Sequence, residues 1–377
     1  MIDRLLTPVI AKSSKSILLL GPRQVGKSTL MGTLKLDLVL DLADESTFFE
    51  FNREVDRFRQ VIVESGARTV LVDEIQRIPR LLNTIQHLID KDRIKFFLTG
   101  SSARKLKRGQ ANLLPGRIFA FNLGPLAANE LRYSLDTKKA LELGTMPGAY
   151  LNTHRGFAEK LLSTYSAVYL KEEIQAEALT RNLDSFVRFV SVAAEKAGQI
   201  LDFSKLAKEA KIERRNCSRY FEILEDTLVA YRVEVYDKTS ADIVKRPRFY
   251  FFDNGVLNGL LGNFSASADR RGILLENLFL SQLKACAFAR DKSVKIHYFR
   301  TRGGYEVDFV VEIGGEIVGI EVKSGQVSIE EAEKLVHFRD YEPRCKKFFI
   351  VTQDKSARTI GKVRVGDLNF VLKNLGL

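Results

Sequence analysis

The chain has 377 residues, long for one ordinary domain, and predicts two or three. Hydrophobic residues make up 45% and charged residues 28%, enough for sizeable cores under a water-facing surface, and no run is long and apolar enough to span a bilayer. A net charge of +12 with a pI near 9.5 points to a polyanionic partner, nucleic acid before a membrane surface. Cys217, Cys286 and Cys345 are scattered, with neither a disulfide framework nor a metal-ligand spacing, as expected in a reducing cytoplasm. His87, His154, His297 and His337 stand far apart and read as ordinary residues. No signal-peptide core follows Met1-Ile2-Asp3-Arg4.

In chain order, Ile17–Leu20 reads as a buried strand, and a helix opens near Lys27. Between them lies Gly21-x-x-x-x-Gly26-Lys27-Ser28, the phosphate-binding loop pattern. The two glycines let several backbone N–H groups turn toward an anion. Gly21, Pro22, Gln24, Val25, Gly26, Lys27, Ser28 and Thr29 are the candidate nucleotide-binding residues. Lys27 is expected on the β- and γ-phosphates and the Ser28 hydroxyl on Mg2+. Leu38–Leu42 is a second short strand. Glu45–Glu64 reads as helical, with an apolar stripe of Phe48, Phe49, Phe51, Phe58 and Ile62. Thr69–Glu74 has the pattern of a buried parallel strand ending in two acids. Asp73 is placed to hold Mg2+ through its water shell and Glu74 to polarise an attacking water, although an acid pair there also suits a helix cap. Ile94–Ser102 is a further strand. Its Thr99 or Ser101 suits a polar sensor beside the γ-phosphate; Ser101 and Ser102 equally suit a helix cap. A basic run, Arg104–Arg108, precedes the Leu113–Arg117 turn and the strand Ile118–Leu123. Arg117 is either an arginine finger for a neighbouring subunit's nucleotide or a structurally paired arginine.

The stretches GPRQVGKST, LVDEIQRIP, FFLTGSS and LLPGR, with the later GTMPGAY, resemble the bacterial and archaeal AAA-family ATPases that carry a characteristic C-terminal domain of unknown function. That resemblance implies a five-stranded parallel sheet of the additional-strand, catalytic-glutamate P-loop class. It also implies ATP and Mg2+ as cofactors and a homo-oligomer. Three parts are expected: a P-loop ATPase domain over 1–150, a helical and winged-helix segment over 151–240, and a C-terminal α/β domain over 241–377.

The middle segment reads as helical over Ala158–Ala178 and Leu183–Ala197. A short helix, Ser204–Ala210, a turn at Lys211-Ile212, a longer helix, Glu213–Asp226, and a strand, Leu228–Tyr236, then follow the order of a helix-turn-helix with a wing. Arg214, Arg215, Asn216 and Arg219 open the second helix and suit phosphates and base edges of DNA. The same residues suit a solvated face, on a winged helix serving as a lid or oligomer contact.

In the last part, β structure restarts in Lys245–Asn254. Arg271–Phe288 is a helix in which Glu276 stands among leucines, and Lys295–Arg300 is a strand. Two alternating runs, Glu306–Ile313 and Glu316–Ser324, flank Gly314-Gly315, the signal of a two-residue hairpin. If Ile313 pairs with Glu316, then Asp308 faces Glu321, Glu306 faces Lys323, and all four share one side of the sheet. Opposed carboxylates at about 5 Å repel unless a cation lies between them. This Asp…Glu-x-Lys pattern with an upstream helical acid resembles the PD-(D/E)XK nuclease-like fold. The resemblance implies Mg2+ on Asp308, Glu321 and Glu276, with Lys323 orienting the attacking hydroxide in phosphodiester hydrolysis. The alternative is an ion-pair network of these acids with Lys323 and Arg300 on a retained fold. Ser328–Asp340 as helix, Lys347–Thr352 as strand and Leu368–Leu375 as a closing helix complete an α/β sandwich. Two functions fit the whole: an ATP-driven DNA-processing enzyme with a nuclease-like domain, or an ATP-switched signalling or scaffold ATPase whose C-terminal domain only binds.

Overall fold

The computed structural model describes residues 2–101, 114–169, 183–238 and 242–377. The basic run Arg104–Arg108 and the far end of the predicted helix Ala158–Ala178 lie outside the described residues. The chain divides into two compact units: Met1–Gly124 with two short pieces, 226–228 and 288–291, and Pro125–Glu225 with Val229–Ala287 and Lys292–Leu377. Residues 125–150 therefore pack with the second unit, and the middle and C-terminal parts share one body.

The first unit is built on five strands: β1 (Ser16–Leu20), β2 (Leu38–Asp41), β3 (Thr69–Asp73), β4 (Lys95–Gly100) and β5 (Ile118–Asn122). All neighbours are parallel, in the order β2-β3-β4-β1-β5. The central strands β1, β3 and β4 are near-continuous apolar runs because both faces of a parallel sheet are covered. One strand, β4, separates β1 from β3. The loop after β1, the acids at the end of β3 and the hydroxyls at the end of β4 thus reach the same edge of the sheet. The predicted helix Glu45–Glu64 is two helices, Glu45–Arg53 and Val55–Glu64, because Glu54 is extended at φ −137°. Their apolar faces still meet, with the rings of Phe51 and Phe58 edge-on at 5.3 Å.

The second unit holds an eight-stranded sheet in the order β12-β13-β11-β10-β9-β8-β6-β7. Its strands are β6 (Ala230–Val235), β7 (Arg248–Phe251), β8 (Val294–Arg300), β9 (Glu306–Ile313), β10 (Glu316–Val322), β11 (Lys347–Thr352), β12 (Arg358–Ile360) and β13 (Val363–Asp367). The helices Leu183–Glu195, Phe203–Glu209 and Arg214–Asp226 precede the antiparallel pair β6–β7, and Ile200 bridges Arg248 on the other side of β7. Parallel pairing of β6 with β8 makes this pair continuous with the C-terminal sheet. The β9–β10 hairpin has the predicted register: Glu316 pairs with Ile313, and the ladder runs to Ile320 opposite Phe309. Gly314 and Gly315 lie at φ 56° and 81°, the paired positive values that a two-residue turn of this twist requires.

A 22-residue helix, Ala268–Ala289, is apolar on several sides, with Leu274, Leu275, Leu278, Phe279, Leu280 and Leu283 all buried. It also buries Asn277 and Gln282, whose amides are fully used. Asn277 accepts from the Phe251 N–H at 2.8 Å and donates to the Phe251 carbonyl at 3.1 Å. Gln282 accepts from the Ala128 N–H and donates to the Leu126 carbonyl and the Thr145 hydroxyl. The GTMPGAY stretch finds its purpose here. The Thr145 N–H donates to buried Asp253 at 2.6 Å, and Asp253 also caps the helix Asn254–Leu261. The two backbones meet so closely that a Cβ on Gly255 would lie 2.3 Å from the Leu143 carbonyl oxygen. Backbone cannot yield as a side-chain tip can. Gly255→Ala is therefore expected to lower the unfolding free energy by about 3 kcal/mol or more, read from denaturant melts.

Candidate functional site

The loop between β1 and the helix Lys27–Met31 is fixed by backbone geometry. Gln24 and Gly26 take φ 61° and 96°. Gly21 lies against the segment after β5, where an added Cβ would fall 2.3 Å from the Leu123 carbonyl oxygen. The Gly21 N–H donates to the Gly100 carbonyl at 3.2 Å, tying the loop to the end of β4. Lys27 is 5% exposed, and its ammonium donates to the loop carbonyls of Gly21 (2.9 Å) and Pro22 (3.0 Å). Ser28 and Thr29 are exposed, while Pro22 and Val25 are buried in the loop's base. Arg4, which the sequence pattern does not single out, is buried beneath the loop. Its guanidinium donates to the Val25 carbonyl at 2.7 Å and to the Gly124 carbonyl at 2.8 Å.

At the same sheet edge, Asp73 ends β3 at 9% exposure and accepts a hydrogen bond from the fully buried Thr99 hydroxyl. The Glu74 N–H reaches both Asp73 (3.1 Å) and Thr99 (3.2 Å). Glu74 itself is held at φ 55°, a costly conformation for a non-glycine residue and one that gathers at functional sites. Its carboxylate accepts from the Gln76 amide, which also donates to the Ser101 hydroxyl at 3.0 Å. The motifs do not mark Gln76; only its position relative to the acid pair could have signalled it. Thr99 and Ser101 are both used: one orients Asp73, the other supports Gln76. Ser28 and Asp73, one hydroxyl and one buried carboxylate, are a donor set that suits Mg2+ shared with phosphates and water. Arg117 is held within its own chain, donating to Asp90 at 2.7 Å and to the Pro115 carbonyl at 3.2 Å.

Arg214, Arg215 and Arg219 are exposed along the start of their helix, and Asn216 is half-buried.

In the second unit the predicted acids do come together, with a partner the sequence pattern does not supply. Arg248 of β7 is 6% exposed, and its guanidinium pairs with Glu306, with Glu276 at 3.4 Å and with Asp308 at 3.8 Å. Arg300 holds the other oxygen of Glu306 at 3.1 Å. Tyr250 donates its hydroxyl to Glu276, and the Val322 N–H donates to Asp308 at 2.9 Å. Lys323 lies 3.3 Å from Glu321. Burial, then the charge of Asp308, pushes the Glu276 carboxyl up to about 8. Burial and the same neighbour push Glu321 well above the ordinary range. Both shifts have one leading cause: charge is costly where water is scarce. Among the described residues, no group of three or more His, Cys, Asp or Glu is placed to hold a metal ion. The donor set implied for Mg2+, Glu276, Asp308 and Glu321, does not fit that ion, because the buried Arg248 guanidinium already stands against Glu276 and Asp308 and Lys323 against Glu321.

Comparisons with known proteins agree with the first unit and leave the second open. Residues 13–132 match the model of an AAA domain. Residues 134–267 and 271–370 match two domains of unknown function, DUF8612 and DUF4143. An uncharacterised protein of Mycobacterium tuberculosis is 27% identical over 321 residues, covering 81% of this chain and 70% of the relative. Another, from Haemophilus influenzae, is 23% identical over 356 residues, covering 88% and 85%. A solved structure from Vibrio cholerae is 11% identical over 96% of both chains with a TM-score of 0.22, too low to carry an argument. The chain thus contains an AAA-type P-loop domain, and no helix among the described residues is long and apolar enough to cross a membrane.

Arg4 supplies a test of the loop. Charge-assisted bonds from a buried guanidinium contribute about 1.5–3 kcal/mol each. Arg4→Ala is expected to weaken binding of a fluorescent ATP analogue by about tenfold or more with Lys27 intact, as read by titration.

Proposed function

We propose that this chain is an ATP hydrolase whose nucleotide cycle drives action on DNA, with the exposed arginines of the helix Arg214–Asp226 as the DNA-binding surface. The observation that carries the ATPase half is the convergence of Lys27, Asp73, Glu74 and Thr99 on one edge of a parallel sheet. Lys27, held on two loop carbonyls, exchanges them for phosphate oxygens when nucleotide enters. Ser28 and Asp73 would hold Mg2+, which neutralises phosphate charge when bound. Glu74 takes the proton of the attacking water, and Gln76 with Ser101 fixes the carboxylate for that step. The Thr99 hydroxyl, bonded to Asp73, fixes the orientation of that carboxylate. These groups are set before substrate arrives, so they need little reorganisation during the reaction.

The DNA half is supported by the basic balance of the chain and by the order helix, turn, helix, two-stranded ribbon in which the arginines sit. The nuclease reading of the C-terminal acids gains no support from their partners, since Glu276, Glu306 and Asp308 share the Arg248 guanidinium. A second reading is favoured by that same geometry: a C-terminal domain that binds without cutting, in an ATP-switched assembly.

Lys27→Ala should abolish ATP turnover. Glu74→Gln should abolish turnover while leaving nucleotide affinity within about twofold, since it removes the base and not the cradle. Equal loss of binding in both variants would mean that Glu74 serves the loop and not the chemistry. For DNA, ATP turnover should rise with duplex or branched DNA at low salt and fall steeply as salt increases. Replacing Arg214, Arg215 and Arg219 by glutamate should remove the stimulation and lower the log–log salt slope by about one for each phosphate no longer neutralised. A basal rate unaffected by every DNA form, with gel-shift retention equal in parent and variant, would favour the second reading.

A further inference from the structure

Glu276 on the long helix and Glu306 and Asp308 on β9 converge on one cation, and that cation belongs to the chain. Arg248 cannot easily leave. Its side chain is 7% exposed, and its guanidinium lies over the Tyr298 ring at 4.7 Å. Its own backbone is paired on both sides, with Val233 of β6 and with Ile200. A swing away from the acids would strand a desolvated guanidinium and leave three carboxylates facing one another.

Four acids, Glu276, Glu306, Asp308 and Glu321, stand with three bases, Arg248, Arg300 and Lys323, so most of the cluster's formal negative charge already has a basic partner. A divalent ion placed among the three carboxylates that share Arg248 would lie within a few ångströms of the guanidinium, and like charges at that separation in a poorly hydrated site repel strongly. Asp308 has one oxygen on the Val322 N–H and the other 3.8 Å from Arg248, so both oxygens already face positive or donor groups of the chain.

We propose that Arg248 is a built-in cation that stands where a divalent metal would otherwise sit in this acidic cluster, closing it to Mg2+ and Mn2+ and making it a staple between β7, the long helix and β9. The consequence is a domain that retains acids in a nuclease-like arrangement and holds its substrate or partner without metal-dependent cleavage. This stands apart from the ATP and DNA readings of the rest of the chain.

The test is calorimetric titration of metal-stripped, nucleotide-free protein with Mn2+, with thermal melts alongside. The parent should show no saturable Mn2+ binding that Asp308→Asn removes, and its Tm should not rise with Mn2+ through this site. Arg248→Gln should gain a saturable site, with affinity at least about tenfold above any residual binding in the parent and a Tm that climbs with Mn2+ concentration. Adding Asp308→Asn to Arg248→Gln should abolish both gains. A saturable site in the parent that Asp308→Asn abolishes would overturn the proposal, as would a folded Arg248→Gln protein that binds no Mn2+. Should Arg248→Gln not fold, the comparison of parent with Asp308→Asn still decides.

Discussion

Burying Arg248 strips water from its guanidinium, and the lost hydration must be replaced by protein charge. Three carboxylates from two elements do so, and the requirement works in both directions. Glu276 sits among buried leucines on the long helix and Asp308 on a largely buried strand; neither tolerates its charge without a cation nearby. One residue of β7 therefore constrains where the long helix and β9 lie. The same helix is bound on its other sides through Asn277, Ser281 and Gln282, each used by backbone groups of distant segments. Directional polar bonds inside an apolar shell specify one packing where leucines alone would allow several.

The first unit applies the same physics more lightly. Lys27 is buried but paired with carbonyls, which are weaker partners than phosphates. Its bonds to the Gly21 and Pro22 carbonyls hold the ammonium against the loop. Asp73, Glu74, Thr99, Gln76 and Ser101 form one connected set at the ends of two strands. The Gln76 side-chain oxygen is buried without a hydrogen-bond partner among the described residues, close behind Gly100, where a Cβ would approach it to 2.7 Å. A glycine at the end of β4 is thus what allows the amide to turn its nitrogen toward Glu74.

Much of this is legible in the sequence because the signals are local. The phosphate loop is a spacing of glycines and a lysine. The strands of the first unit are apolar runs, and the hairpin register follows from Gly314-Gly315, since the turn fixes which residues oppose. The break at Glu54 and the short strands β12 and β13 are not legible, because three- to five-residue elements carry too little periodicity to stand out. Arg117 illustrates a different limit: a basic residue after a turn looks alike whether it serves a partner's nucleotide or Asp90 of its own chain.

The sequence by itself determined the phosphate-binding loop pattern and the facing of Asp308 and Glu321, because both follow from backbone geometry within a few residues or one hairpin. Only the tertiary structure decided what those acids face. Arg248 precedes Glu276 by 28 positions and Glu306 by 58, and nothing periodic links them. Their meeting depends on the parallel pairing of β6 with β8 and on the path of a buried helix. A pattern of acids states a need for positive charge; which cation meets it is settled by the fold.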